Sequence, residues 1–197
     1  MRALLARVAG SRQRGQAPAH LRALRRRGGP RLNNRTENLK RGLALAASVL
    51  VLDQAVKYVM YLYLIAGFRP SVEVAPFFNL VVVWNYGVSF GLFNSGSSEA
   101  SFIFVGLAAA IVIGLGVWLA RAETPVILLG LGLVIGGAIG NIVDRLRYGA
   151  VFDFLDFHAF GWHWPAFNVA DAAITIGVAC LFWDAFTAGD KSGKISG

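Results

Sequence analysis

One cysteine, Cys180, stands among the 197 residues of this chain, so no intrachain disulfide can form and no thiolate metal cluster can be built. Lying inside the last apolar run, it reads as a small hydrophobe rather than a nucleophile. Charge is scarce as well. Asp, Glu, Lys and Arg together make up 15% of the chain, against about 25% in soluble domains. Acids are scarcer still, at 11 against 19 bases. With 56% hydrophobic residues, the composition points to a membrane protein. The sequence also lacks Gly-x-Ser-x-Gly and His-Glu-x-x-His, which leaves neither a nucleophile elbow nor a helix-borne zinc pair. His158 and His163 share one loop and fit an interfacial belt with Trp162, Trp164 and Tyr148.

Four apolar runs reach bilayer length: 43–65, 102–120, 125–143 and 168–187. The third is 19 uncharged residues, about 28 Å as a helix. Thr124 and Pro125 suit its N-cap and first turn. The basic residues set the orientation. Twelve precede the first run and three more (Arg121, Lys191, Lys194) fall on the same side, giving 15 of 19. Both termini are therefore expected in the cytoplasm, with the loops 66–101 and 144–167 outside. The arm 1–41 reads as disordered and held near anionic lipid. It lacks the apolar core of a secretory signal, and nucleic acid is not expected as a partner. The membrane-spanning remainder is 42–188, followed by a short tail, 189–197.

Gly132, Gly136 and Gly140 recur every four residues along the third helix, as Gly106, Ala110 and Gly114 do along the second. Such stripes let helix backbones approach closely in lipid. The first outer loop is different in kind. Its segment 77–93, rich in aromatic and β-branched residues, predicts two short strands around Asn85-Tyr86-Gly87, a β-rich platform between helices 1 and 2.

Ionisable groups within spans are costly and are treated as functional by default. Asp53 and Lys57, four apart with the acid first, share a helix face and can pair. Neutralised structural pair and functional pair are equally open readings. At the end of the third helix Arg145 suits the dipole and Asp144 does not, so Asp144 is expected to partner Arg145 or nearby backbone, with Asn141 organising the corner. Asn168 and Asp171 form a capping box with Asp in the Glu position. Asp153 has no such local reason. It sits among phenylalanines three residues before Asp156, and if that segment is extended the two face opposite ways. Two carboxylates at one desolvated site can divide the labour, one protonated and one ionised. A proton-coupled transporter using Asp53, Asp144 and Asp153, or a non-catalytic scaffold, are the rival readings.

Read in order, "DQAVK" (53–57), "NYGVSF" (85–90), "GGAIGNIVDR" (136–145), "VFDF" (151–154) and "FNVAD" (167–171) resemble the lipoprotein signal peptidases, or signal peptidase II. The resemblance runs from about 43 to 187. It implies an all-α polytopic protein of four transmembrane helices and an aspartic endopeptidase of the bacterial inner membrane, needing no cofactor and no metal. Its substrates would be prolipoproteins, cut on the N-terminal side of a diacylglyceryl-modified cysteine at the outer face of the bilayer. The family pattern maps the catalytic dyad to Asp153 and Asp171 rather than Asp156. It maps supporting positions to Asp53, Asn85, Gly87, Gly137, Asn141, Arg145 and Asn168, beside the Lys57 and Asp144 singled out above. A monomer is expected. Asp171, at a helix N-terminus, is expected to be the base, and Asp153 the acid with a raised pKa. The long Arg-rich arm and the Val88-Ser89 pair depart from the family pattern.

Overall fold

A computed structural model describes residues 19–87 and 98–193. The expected strand at 88–93 and the first 18 residues of the arm lie outside them. Met1–Asn34 forms a unit of its own, and Arg35–Gly197 forms the second, to which everything below refers.

Helix α1 (Ala19–Met60) runs into a π-helical turn, Tyr61–Ala66, and is followed by α2 (Ser98–Leu119), α3 (Pro125–Tyr148) and α4 (Val169–Gly193). Four segments are long and apolar enough to cross a membrane: Arg35–Ala66, Ser101–Leu119, Pro125–Tyr148 and Val169–Thr187. The first starts earlier than expected because the polar flank from Arg35 on simply continues the helix. Helix α3 begins as its sequence dictates, with Thr124 Oγ1 accepting from the Ile127 N–H at 3.1 Å. It runs past Val143 to Tyr148, where Gly149 adopts a left-handed φ of 74° and returns its N–H to the Arg145 carbonyl. The extra turn keeps Asp144 inside the helix.

The glycine stripes divide. A Cβ on Gly136 would lie 2.5 Å from the Ala46 carbonyl oxygen, and one on Gly140 would lie 2.6 Å from Asp53 Oδ2. Helices α1 and α3 therefore meet backbone to backbone, as the spacing predicts. On α2 the expectation fails. Nothing among the described residues lies within 4 Å of a Cβ on Gly106 or Gly114. That helix instead packs through Val112, Leu115 and Leu119 against Leu131 and Ile127. Its small residues lie on another face, because bulk rather than smallness fills the gap there.

Four antiparallel strands form one sheet in the order β1 (Ser71–Ala75), β2 (Phe78–Asn85), β3 (Val151–Ala159) and β4 (Trp162–His163). Strand β2 is the first of the two expected strands, and the second falls outside the described residues. An additional strand, β1, precedes it across a turn at Pro76-Phe77, and the other described partner of β2 is β3, from the other outer loop. Strand β3 is near-continuously apolar because both its faces are covered over Val151–Phe154. Leu64 of the π-helical turn, fully buried, packs with Phe152 and Phe154, anchoring this strand to the end of α1.

Candidate active site

Asp153 lies in β3 and is 1% exposed. Asp156 lies three residues on, facing the other way as alternation requires. The register explains how each finds an amide partner. Leu80 pairs with Leu155 but Val83 with Asp153, so β2 carries one extra residue between them. Asn79 and Asn85, six apart, would share a face of a regular strand, and the bulge separates them. Asn79 Nδ2 donates to Asp156 Oδ2 at 3.1 Å, and Asn85 Nδ2 donates to Asp153 Oδ2 at 3.1 Å. Asn85 is held in turn by the Gly87 N–H, 2.9 Å from its Oδ1. Gly87 has φ 83°, and a Cβ there would meet the Phe104 ring at 2.8 Å. Only glycine fits that turn.

Asp171 arrives from α4. The capping box forms as its sequence predicts: the Asp171 N–H donates to Asn168 Oδ1 at 3.0 Å, and the Asn168 N–H to Asp171 Oδ2 at 3.2 Å. Asn168 does more than cap. Its side-chain amide, on a fully buried residue, donates to Asp153 Oδ1 at 2.6 Å. One asparagine thus bridges the two carboxylates. Gly137 lets this happen, because any Cβ on it would press on the Ala170 carbonyl oxygen, one residue before Asp171.

Burial first, and then the charge of Asp171, push the Asp153 carboxyl up to about 7. Asp156 goes the other way. Burial raises it, but hydrogen bonds from His163 and Asn79 outweigh that and bring it below the ordinary carboxylate range. His163 Nδ1 sits 2.9 and 3.0 Å from the two Asp156 oxygens, so this histidine is a carboxylate partner and not merely a belt residue. Asp156 is already fully engaged away from Asp171. Asp156→Asn is expected to cleave at a near wild-type rate while losing about 1 kcal/mol of stability, read by thermal unfolding beside the cleavage assay.

Behind the two aspartates lies a buried ionic cluster. Lys57 Nζ is 2.9 Å from Asp53 Oδ2 and 2.8 Å from Asp144 Oδ2. The expectation for Asp144 is half corrected: its cation is Lys57 of α1 rather than the adjacent Arg145. Its Oδ2 also accepts the Phe152 N–H at 3.2 Å, the backbone contact that was expected. Gln54 Nε2 donates to Asp53 at 3.2 Å and to Asp144 at 3.0 Å. Asn141 does organise the corner, accepting from Lys57 Nζ at 3.2 Å and donating from Nδ2 to Asp171 Oδ1 at 2.8 Å. Arg145 lies within electrostatic reach of Asp171, Asp153 and Asp144. Its guanidinium carbon sits 5.8 Å from the centre of the Phe104 ring, a contact that no local spacing announces. Among the described residues, no group of three or more His, Cys, Asp or Glu is placed to hold a metal ion.

A cleft of about 500 Å³ opens beside Asp171, lined also by Asn85, Trp164, Phe167 and Thr175. A sequence model of the family described as Signal peptidase (SPase) II matches residues 45–187. The chain belongs to that family. It is 53% identical over 140 residues to a lipoprotein signal peptidase of Methylobacterium sp. (strain 4-46), covering 71% of this chain and 85% of that one. A lipoprotein signal peptidase of Methylobacterium radiotolerans is 43% identical over 155 residues, covering 79% and 91%. A solved structure described as a bacterial membrane enzyme, obtained by the in meso method at 2.3 Å resolution, aligns with a TM-score of 0.63 at 29% identity, covering 76% of this chain and 90% of that one. Membership of signal peptidase II makes the chain a peptidase with the four-helix membrane fold, and the transporter and scaffold readings lose their support.

Proposed function

We propose that this member of the signal peptidase II family is an aspartic endopeptidase whose dyad is Asp153 and Asp171. Its substrate class is the prolipoprotein, cut on the N-terminal side of a diacylglyceryl-modified cysteine. The observation that carries this reading is the Asn168 bridge, which ties a buried Asp153, with its carboxyl near 7, to Asp171 at the rim of the cleft.

Asp171 accepts N–H bonds on both oxygens, from Asn141 and from Asn168, in the first turn of α4 where the helix dipole is positive. These are partners suited to a carboxylate. It takes a proton from a water molecule as that water attacks the scissile carbonyl carbon. Protonated Asp153 donates its proton to the carbonyl oxygen, giving a neutral tetrahedral diol. Collapse of the diol breaks the C–N bond. The proton held by Asp171 passes to the leaving nitrogen, and the diol returns one proton to Asp153. The dyad ends as it began.

With both termini cytoplasmic, as the basic residues predict, the sheet and the dyad lie at the outer face of the inner membrane. There the cleft can receive a chain whose lipid stays in the bilayer. Because Asp153 must be protonated to act, kcat/KM falls as pH rises through about 7. Purified enzyme and a diacylglyceryl-modified prolipoprotein test this, with products mapped by mass spectrometry. Cleavage of the unmodified precursor at the same rate, or a rate flat through that range, contradicts the reading.

A further inference from the structure

The buried cluster behind the dyad touches the backbone at two chosen places. Asp144 Oδ2 accepts the Phe152 N–H at 3.2 Å, one residue before Asp153. Asp53 Oδ1 accepts the Ala170 N–H at 2.9 Å, one residue before Asp171. Both acids are held by the same ammonium group, Lys57 Nζ, on a residue only 5% exposed. The same nitrogen donates to Asn141 Oδ1, which also accepts from Asn168 Nδ2 at 3.3 Å. With two donors on its oxygen, the Asn141 amide can turn only its Nδ2 toward Asp171. Turned over, it would set an oxygen against a carboxylate oxygen.

We propose that Lys57 is a positioning residue for the peptidase reaction, fixing the Asn141 amide so that it donates to Asp171 and yoking the chain segments that carry both aspartates. The inference rests on the dyad reading above and adds to it the group that sets Asp171's hydrogen bonding. Lys57 touches neither dyad side chain and no reacting atom, so beyond its charge, which favours ionised Asp153 from a distance, it acts through Asn141 and the two backbone amides. The charged groups facing the dyad are Lys57 from α1 and Arg145 from α3. Asp53 and Asp144 lie behind Lys57, and both are ion-paired to it.

The test is a double-mutant cycle on the full-length enzyme, with pH–rate profiles as the readout. Lys57→Met is expected to lower kcat about ten- to a hundredfold with KM unchanged. It is also expected to move the acid limb to higher pH, because the released Asn141 amide can present its oxygen to Asp171. A merely structural loss lowers the active fraction and leaves the limbs where they were. Asn141→Leu should move the acid limb the same way, and Lys57→Met added to it should move that limb no further. If Lys57→Met does not fold, Asn141→Leu carries the test, since it leaves both Lys57 ion pairs intact. An acid limb unmoved in these variants, or additive shifts in the double variant, overturns the inference. Asp153→Asn and Asp171→Asn are run alongside. If those two cleave normally it is the dyad reading that fails, whereas an inactive dyad pair with unmoved limbs in the Lys57 and Asn141 variants sinks only the role of Lys57.

Discussion

Asp171→Asn is expected to lower prolipoprotein cleavage by at least about 10³-fold, and Asp153→Asn by as much, since each removes one half of a general acid–base pair. The two losses have different causes. Asparagine at 171 still accepts through one oxygen but cannot take a proton from water. Asparagine at 153 keeps the shape of the buried carboxyl but only one of its two accepted bonds, from Asn85 or from Asn168, and it has no acidic proton to give the carbonyl. Because the two act as one unit, the double variant should be scarcely worse than either single one. Both variants should fold, because asparagine is isosteric and Asp153 is already near neutral in its buried site. Size-shift assays on purified, folded variants check this, with thermal unfolding to show that the protein is intact.

Gly137→Val is the second large effect, and it acts on geometry rather than chemistry. A Cβ at 137 presses on the Ala170 carbonyl oxygen and comes within 2.9 Å of Ile174 Cγ1. The first obstacle is helix backbone, so it cannot swing aside as a side-chain end could. Helix α4 must shift, and Asp171 sits one residue beyond the point of contact. Overpacking of this kind costs about 1–3 kcal/mol. A shift near 1 Å at a reacting group costs about 10²-fold in rate. Gly114→Ala is the matched control, as nothing described lies within 4 Å of a Cβ there. The expected result is a lowered Tm and a lowered kcat for Gly137→Val, and neither for Gly114→Ala. A Gly137→Val enzyme of full activity would mean that α4 tolerates displacement and that the Asp171 position is not set by this contact.

The sequence carries the local part of this architecture well. The caps at Thr124 and Asn168 depend on residues three apart, so their signal is contained in a few letters. The α1–α3 approach depends on glycine spacing along one helix, and that too is readable. The partner of such a stripe is not. Gly106 and Gly114 show the same pattern and face nothing described, because spacing records that a face is small and not what lies opposite.

Long-range pairing is where the letters run out. Lys57 meets Asp144 as well as its neighbour Asp53, and only the second pairing follows from helix periodicity. The sheet is the other case. Strand β3 reads as an apolar run with two acids, and nothing local says that it pairs with β2 from another loop. Nothing local announces the single extra residue between Leu80 and Val83 either. Yet that bulge decides which asparagine serves Asp153 and which serves Asp156. Alternation says only that the two acids face opposite ways, and the choice of Asp153 over Asp156 rests on the resemblance to the family pattern.

The proposed chemistry needs a proton on Asp153 and a free carboxylate on Asp171. Infrared difference spectra of the detergent-purified enzyme, taken across pH, observe that proton directly. A protonated-carboxyl band is expected that is missing in Asp153→Asn and disappears as pH rises through about 7. In Asp171→Asn the same band should disappear at lower pH, because the neighbouring charge that helps to retain the proton is gone. A band assigned to Asp153 that is lost in the ordinary carboxylate range, and is indifferent to Asp171, would mean that Asp153 is not the acid of the pair.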